Sequence, residues 1–237
     1  MSKRAVILAG GKGTRLRPYT TVLPKPLMPL DDRPILEIVI RQLAKAGFDR
    51  VTLAVNHQAE LIQAFFQDGA RLGVSIDYSL EDKPLSTMGP LKLIPDLPDH
   101  FLVMNGDILS DLDYGAFYDR HVQADRLFTV SSMEREQRVD YGVLDLNEAN
   151  DLVGFREKPS LTYHVSMGVY MVSRRVLDVI PEGRSYGFDQ LMLDLIKTKT
   201  PATVVPFDGY WLDIGRPDDY EKAQSEFAAM KSRFLDD

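Results

Sequence analysis

The chain has 237 residues, a net charge of −7 and no cysteine. Its length is enough to bury a sizeable core, and the lack of cysteine excludes disulfides, thiolate chemistry and cysteine-based zinc sites. The acidic balance disfavours a nucleic-acid or membrane surface, and no apolar run reaches the ~18 residues of a membrane span or forms the core of a signal peptide. We therefore expect a cytoplasmic protein that binds neither nucleic acid nor membranes.

The first half alternates short apolar runs with helix-length amphipathic segments. The pattern predicts strands at 4–9, 50–55, 74–79, 101–105 and 127–132, and helices at 34–46, 59–66, 88–93 and 114–123. This alternation is typical of βαβ units and predicts an α/β, Rossmann-like fold with a mixed, mostly parallel sheet flanked by helices. Ligands of such sheets bind beyond the carboxyl ends of the strands, so we expect the loops after the first four strands to share one rim.

The second half has shorter strands separated by turns. It predicts strands at 141–145, 152–156, 164–172 and 202–206, and helices at 174–179, 189–197 and from 217 to about 231. No stretch rich in proline, glycine and serine separates the halves. We therefore predict a single domain over 1–237 with a substrate-facing insertion.

The segment "LAGGKGTRLRP" follows the first strand and contains Gly10, Gly11 and Gly13. It is not a Walker loop, because no Lys-Ser or Lys-Thr pair ends it, and it is not a dinucleotide fingerprint, because Leu16 stands where the third glycine belongs. What remains is a turn whose bare backbone can approach a phosphate, with Arg15 beside it as a bidentate donor. Taken alone, the segment could equally be a simple turn.

A second basic position lies downstream in "VLPKPLMPL", where Lys25 stands between two prolines. Each proline fixes its own φ and restricts the residue before it. Such a segment would hold one cation still, although Lys25 could also simply be solvated.

Six motifs follow one another along almost the whole chain. They are the glycine loop with its "PKP" partner, "PLSTMGPL" from Pro84, "NGD" from Asn105, "YGVL" from Tyr141, "FREKP" from Phe155 and "WLDIGRPDDY" from Trp211. Together they resemble the signature of the sugar nucleotidylyltransferases, in the style of mannose and heptose 1-phosphate guanylyltransferases.

The resemblance implies a GT-A-like nucleotidyltransferase fold and an enzyme that joins a nucleoside triphosphate to a sugar 1-phosphate, releasing pyrophosphate. It implies a nucleotide-binding part over 1–132 and a sugar-phosphate-binding part with a terminal helix over 133–237. A C-terminal β-helix, present in many members, is not expected here, because only a helix follows Asp213. Homodimers are common in the family, so a homodimer is a possible partner arrangement, but this sequence does not show the interface.

The same resemblance assigns roles to particular residues. Arg15, Lys25, Asp107 and Asp213 would be catalytic, and the two aspartates would hold Mg²⁺, a hard ion that prefers carboxylate and phosphate oxygens. The nucleotide would contact Leu8, Ala9, Gly10, Gly11, Gly13, Thr14, Arg15, Asn56, Glu81, Pro84, Thr87 and Gly89. The sugar phosphate would contact Asn105, Gly142, Glu157, Lys158 and Gly168. Taken singly, Asp107 could be a turn residue, Asp213 a helix cap, and Lys158 a surface charge.

The choice of base depends on where this chain departs from the family. Ser86 and Met88 stand where the family often has glycine and alanine, which predicts a reshaped loop. Glu81 stands near the position of a glutamine in uridylyl and thymidylyl enzymes, and a carboxylate, which only accepts, suits the N–H donors of guanine or the amino group of cytosine. GTP is therefore favoured.

Other functions remain open. Uridylyl, thymidylyl and cytidylyl transfer and a non-catalytic nucleotide-sugar-binding regulator are the alternatives, and a glycosyltransferase using Asp111 and Asp113 is a weaker one. His57, after the second strand, is the histidine nearest the expected nucleotide rim.

Overall fold

The structure, a computed structural model, describes residues 2–56 and 58–235. Its elements in chain order are β1 (Lys3–Leu8), β2 (Pro29–Leu30), β3 (Arg33–Pro34), α1 (Ile35–Lys45), β4 (Phe48–Val55), α2 (Ala59–Phe66), β5 (Ser75–Leu80), β6 (His100–Asn105), β7 (Ile108–Ser110), α3 (Tyr114–Gln123), β8 (Phe128–Arg138), β9 (Val143–Leu146), β10 (Leu152–Arg156), β11 (Ser160–Ser173), α4 (Phe188–Lys197), β12 (Thr203–Phe207), β13 (Trp211–Asp213) and α5 (Pro217–Phe234). Short 3₁₀ helices lie at Thr14–Leu16, Tyr19–Thr21, Lys25–Leu27, Ala70–Leu72, Gly89–Leu93 and Arg174–Asp178.

A seven-stranded mixed sheet has the order β12-β8-β11-β6-β1-β4-β5. Parallel pairs join β1 to β4 and β6, β4 to β5, and β12 to β8, while β11 runs antiparallel to both β6 and β8. The predicted mixed, mostly parallel α/β sheet is thus confirmed. Since β1, β4 and β6 are parallel neighbours, their carboxyl ends meet at one edge.

Helices cover both faces of this sheet, which explains why its central strands are apolar throughout. In β1, Ile7 packs into a cluster with Leu36 and Val39 of α1, whereas the adjacent Val6 packs on the opposite face with Leu191 of α4. The alternating directions of neighbouring side chains on a strand produce this division. Among the described residues, no helix is both long enough and apolar enough to cross a membrane.

Two parts of the sequence prediction were wrong in detail. Segments 88–93 and 174–179 form short 3₁₀ helices instead of α-helices. Strands β8 and β11 extend beyond the predicted 127–132 and 164–172, and their paired extensions form an arm together with the separate β9–β10 hairpin. The extensions are mostly exposed and polar, so they lack the apolar run on which the prediction depended.

One buried histidine gives the fold a pH dependence. His121 is 1% exposed, and its Nδ1 lies 2.8 Å from Thr129 Oγ1. Burial, together with the charges of His100 and Arg175 and opposed by Asp125, lowers the pKa of His121 to about 4. The unfolded chain therefore binds this proton more tightly than the folded protein does.

We predict that the free energy of unfolding falls between pH 6.5 and pH 4, by roughly 3 kcal/mol for a shift of this size. This stability is fully present above pH 6.5 and is lost as the pH falls toward 4. Denaturant unfolding of His121→Asn and the parent chain across this range checks it. An equally steep loss in both proteins would contradict the assignment.

Candidate active site

A cleft of about 440 Å³ opens at the carboxyl edge of the sheet. The loops after β1, β4, β5 and β6 all contribute to it, as the strand order predicts. The predicted site residues that line it are Leu8, Ala9, Gly10, Gly11, Lys25, Asn56, Glu81, Pro84, Thr87, Asn105 and Asp107. Residues that sequence reasoning did not assign also line it: Lys12, Pro26, Ala54, Ser86 and Gly106.

The glycine loop leaves β1 without regular structure and then enters the 3₁₀ helix Thr14–Leu16. Gly13 has φ +59, and a Cβ there would lie 2.9 Å from the side chain of Thr20, whose hydroxyl donates to Gly13 O at 2.7 Å. Only glycine can adopt this positive φ and also fit beside Thr20 without strain. The turn directs Arg15 toward Gly215, where a Cβ would lie 3.4 Å from Arg15 Nη2 and also 3.4 Å from Asp213 Oδ1.

Lys25 forms an ion pair with Asp107 across the cleft. The segment Lys25–Leu27 is a 3₁₀ helix with buried Pro26 at its start, and Pro24 before it is extended. The lysine side chain is 11% exposed and that of Asp107 is 19% exposed, so the pair is largely shielded from water. Lys25 is therefore ion-paired and largely shielded, and the hypothesis that it is simply solvated does not hold.

A two-stranded ribbon brings the two predicted metal ligands together. Strand β13 pairs antiparallel with β7, placing Asp213 opposite Ile108, and Ile214 N donates to Asp107 O at 3.1 Å. Burial raises the pKa of Asp213; the negative charge of Asp107 raises it further, and Lys25 and Arg15 lower it. Two carboxylates and two cations thus form one electrostatic cluster.

The carboxylate pair fits a hard divalent cation. Asp107 Oδ1 is buried and has no hydrogen-bond partner within the described part of the chain, which leaves an acceptor available for a ligand. No group of three or more potential ligand side chains occurs among residues 2–56 and 58–235. The remaining coordination positions would therefore belong to water and phosphate oxygens, which is the usual arrangement for Mg²⁺.

The predicted sugar-side residues fall into two groups. Gly168 lies beside Asn105 at an irregularity in the β11–β8 pairing, and a Cβ on Gly168 would be 2.7 Å from Asn105 Nδ2. Gly142 and Glu157 are neighbours on the arm, where a Cβ on Gly142 would be 3.3 Å from Glu157 Oε2. Lys158 follows them, exposed and with φ +44, and does not line the cleft.

On the opposite side of the cleft, Glu81 organises the loop after β5. Its Oε2 accepts from Leu85 N at 3.0 Å, and its Oε1 faces Gly10, 3.4 Å from the position of a Cβ there. Asn56 Nδ2 donates to Glu81 O at 3.1 Å. Burial raises the pKa of Glu81, and the hydrogen bond from Leu85 opposes that rise. The free oxygen of this carboxylate is available to a ligand.

The two bulky residues of this loop behave differently. Met88 is fully buried in the core and Gly89 packs behind the loop, where a Cβ would be 3.0 Å from Arg184 O. The bulk of Met88 is therefore absorbed by the core. Ser86 is exposed and lines the cleft.

The aspartates of the alternative Asp-x-Asp motif have protein partners. Asp111 accepts from Tyr210 N at 2.7 Å and pairs with Arg233, and Asp113 caps α3 by accepting from Ala116 N at 2.9 Å. These contacts give both aspartates a structural role.

His57 lies outside the described residues. Lys12 was recognisable only by its place inside the glycine loop.

Known proteins are similar to this chain in sequence and in fold. A family model described as nucleotidyl transferase matches residues 4–229. The chain belongs to this family. It is 35% identical to a UTP–glucose-1-phosphate uridylyltransferase of Synechocystis, covering 93% of this chain but 62% of that protein. It is 32% identical to a D-glycero-alpha-D-manno-heptose 1-phosphate guanylyltransferase of Aneurinibacillus thermoaerophilus, covering 94% and 97%.

Solved structures agree with the sheet topology. HddC from Yersinia pseudotuberculosis is 29% identical, with a TM-score of 0.72 over 95% of this chain and 99% of that chain. The same protein has been solved in complex with GMP-PN, at 28% identity and the same TM-score. The first curated relative extends well beyond the length that this chain spans.

The contact between Gly168 and Asn105 generates a stability prediction. Gly168→Ala combines strain at φ +75 with the close approach to Asn105, whereas Gly183→Ala at φ +63 meets no atom within 4 Å. We expect about 1 kcal/mol lost for Gly183→Ala and roughly 2–3 kcal/mol for Gly168→Ala. Urea unfolding of both variants checks this, and equal losses would show that the Asn105 contact costs nothing.

Proposed function

We propose that the protein transfers a nucleotidyl group from a nucleoside triphosphate to a sugar 1-phosphate, giving a nucleotide sugar and pyrophosphate. The observation that carries the proposal is the cluster of Arg15, Lys25, Asp107 and Asp213 at the edge of the 440 Å³ cleft, in a chain whose net charge is −7. An acidic protein that concentrates cations beside a glycine loop is suited to polyanionic substrates.

The reaction requires no general base, because the attacking phosphate oxygen is already an anion. That oxygen forms a bond to the α-phosphorus, the bond from the α-phosphorus to the bridging oxygen breaks, and pyrophosphate leaves with that oxygen. Catalysis then consists of positioning and neutralising charge. In the proposal Arg15 stabilises the departing β- and γ-phosphates and Lys25 stabilises the transferring group.

Asp107 and Asp213 would hold the metal, proposed to be Mg²⁺. When bound, the ion would neutralise charge on the phosphate oxygens. The buried, unpartnered Oδ1 of Asp107 supports this assignment. The ion pair between Asp107 and Lys25 shows how close the cation and the metal ligand are in the protein itself.

We assign the nucleotide to residues 1–132, and the sugar phosphate to residues 133–237 together with Asn105 of the first half. Asn105 and Gly168 would form the floor of the sugar site, and Glu157 on the arm would accept hydrogen bonds from sugar hydroxyls beside Gly142. Lys158 would bind the phosphate of the incoming sugar. Its position on the arm between β10 and β11, away from the cleft lining, means that the arm would have to approach the cleft for this contact.

We propose GTP as the nucleotide and a mannose- or heptose-type sugar 1-phosphate as the acceptor. The free Oε1 of Glu81 accepts only, so it complements the N–H donors of guanine better than uracil. The relative that this chain matches over 97% of its length is named as a heptose 1-phosphate guanylyltransferase, and HddC was solved with GMP-PN. Uridylyl transfer is the alternative, because the Synechocystis relative is named as a uridylyltransferase.

The metal assignment predicts that Asp107→Asn and Asp213→Asn each reduce magnesium-dependent kcat by on the order of 100-fold or more, because charge at the α-phosphate is no longer neutralised. Circular dichroism should show folded proteins. Asp208→Asn, an exposed aspartate before β13, serves as the matched control and should turn over like the parent. Full activity in either site variant would remove the metal assignment.

The base assignment predicts a change of preference in Glu81→Gln. Its amide can still accept from Leu85 N, but the loss of a charged acceptor should lower kcat/KM for GTP by about 10- to 100-fold relative to UTP. Pyrophosphate release, measured for four nucleotides against glucose, mannose and heptose 1-phosphates, checks both the reaction and this preference. Pyrophosphate release from none of these pairs by the parent protein would overturn the proposed function.

A further inference from the structure

Ser86 is a non-glycine residue in the left-handed region, with φ +65. A side chain in this conformation costs free energy that glycine would avoid. Ser86 is exposed and lines the cleft, so its side chain is not kept for core packing. A strained residue at the wall of a binding cleft calls for a functional explanation.

Hydrogen bonds on both sides of Ser86 fix this conformation. Leu85 O accepts from Tyr186 N at 3.0 Å, and Tyr186 O accepts from both Met88 N and Gly89 N at 3.0 Å. Thr87 Oγ1 accepts from Phe188 N at 2.8 Å. The loop is therefore anchored to the start of α4 and cannot relax at Ser86 without breaking these bonds.

The position of the loop in the sheet indicates which part of a nucleotide it meets. Glu81 follows β5 and Asp107 follows β6, with β4 and β1 between them. Three strand spacings separate these ends by about 14 Å. If the phosphates lie at the cluster of Lys25 and Asp107, the loop of Glu81 and Ser86 meets the nucleoside end.

The hydroxyl of Ser86 makes no hydrogen bond within the described ranges 2–56 and 58–235. It can both donate and accept, whereas the neighbouring Glu81 carboxylate only accepts. Guanine presents N–H donors beside the O6 acceptor, so its edge needs acceptors and a donor together. Glu81 and Ser86 supply this combination.

We propose that Ser86 is a specificity-determining residue whose hydroxyl hydrogen-bonds the base of the nucleotide. The inference rests on the proposed function, since it names which residue of the same cleft selects the base. It makes Ser86 the donor that complements Glu81.

Two substitutions distinguish the effect of the Ser86 hydroxyl on binding from the effect of backbone strain on stability. Ser86→Ala removes the hydroxyl and keeps the strain, so the Kd and KM for GTP should rise about 5- to 10-fold. The kcat should stay within about two-fold of the parent value, and the Kd and KM for UTP should rise less than those for GTP. Ser86→Gly also removes the strain, so it should show the same loss of affinity together with a Tm about 1–3 °C higher. In both variants the KM for the sugar phosphate and inhibition by pyrophosphate, which has no base, should not change.

Lys199→Gly is the matched control, because Lys199 is exposed with φ +58 in the turn after α4 and away from the cleft. It should raise Tm similarly and leave the affinity for GTP unchanged. Parent-like GTP affinity in Ser86→Ala, or weakened pyrophosphate inhibition, would overturn the proposal. Calorimetric binding of GTP tests Ser86 independently of turnover, so a failure of the proposed reaction and a failure of this inference give different results.

Discussion

The site depends on the antiparallel pairing of β7 with β13. These two three-residue strands lie more than a hundred residues apart in the chain, yet their register sets Asp213 opposite Ile108 and joins Ile214 N to Asp107 O. The pairing gives two carboxylates a common position at the edge of the sheet, where burial raises the pKa of Asp213 and the charge of Asp107 adds to that effect. Without compensating cations this arrangement would be unfavourable. Lys25 and Arg15 supply them, so the fold makes the carboxylate pair and the cationic loops depend on each other.

This dependence is consistent with the anionic substrates proposed for a protein of net charge −7. Many of its other cations are already engaged, as in the pair between Arg41 and Glu37 or that between Arg175 and Asp125. Arg15 lies exposed beside Gly215, and Lys12 lines the cleft. A phosphate would therefore meet fixed cations at the cleft although the whole molecule is acidic.

Local patterns predicted the parallel core well, because its strands are continuous apolar runs bounded by turns, and they located the glycine loop and Lys25. The ribbon of β7 and β13 was beyond such reasoning: three residues carry no periodicity, and their pairing is a contact of long sequence separation. The polar extensions of β8 and β11 were missed for a related reason, since exposed strands need not be apolar. The direction of Met88 into the core depends on the anchored backbone of its loop, which residue types alone do not reveal.

The two ends of the cleft differ in how firmly they are built. The proposed nucleoside end is fixed by backbone hydrogen bonds that join Leu85, Met88 and Gly89 to Tyr186, just before α4. The proposed sugar side includes an arm in which the described residues of the hairpin pair β9 with β10 and leave Phe155 58% exposed. A rigid wall discriminates through groups that are already in place, because no binding energy is spent on ordering them. Selectivity for the base would therefore be encoded in fixed atoms such as Glu81 Oε1, whereas selectivity for the sugar would include the cost of bringing Glu157 and Lys158 to the substrate.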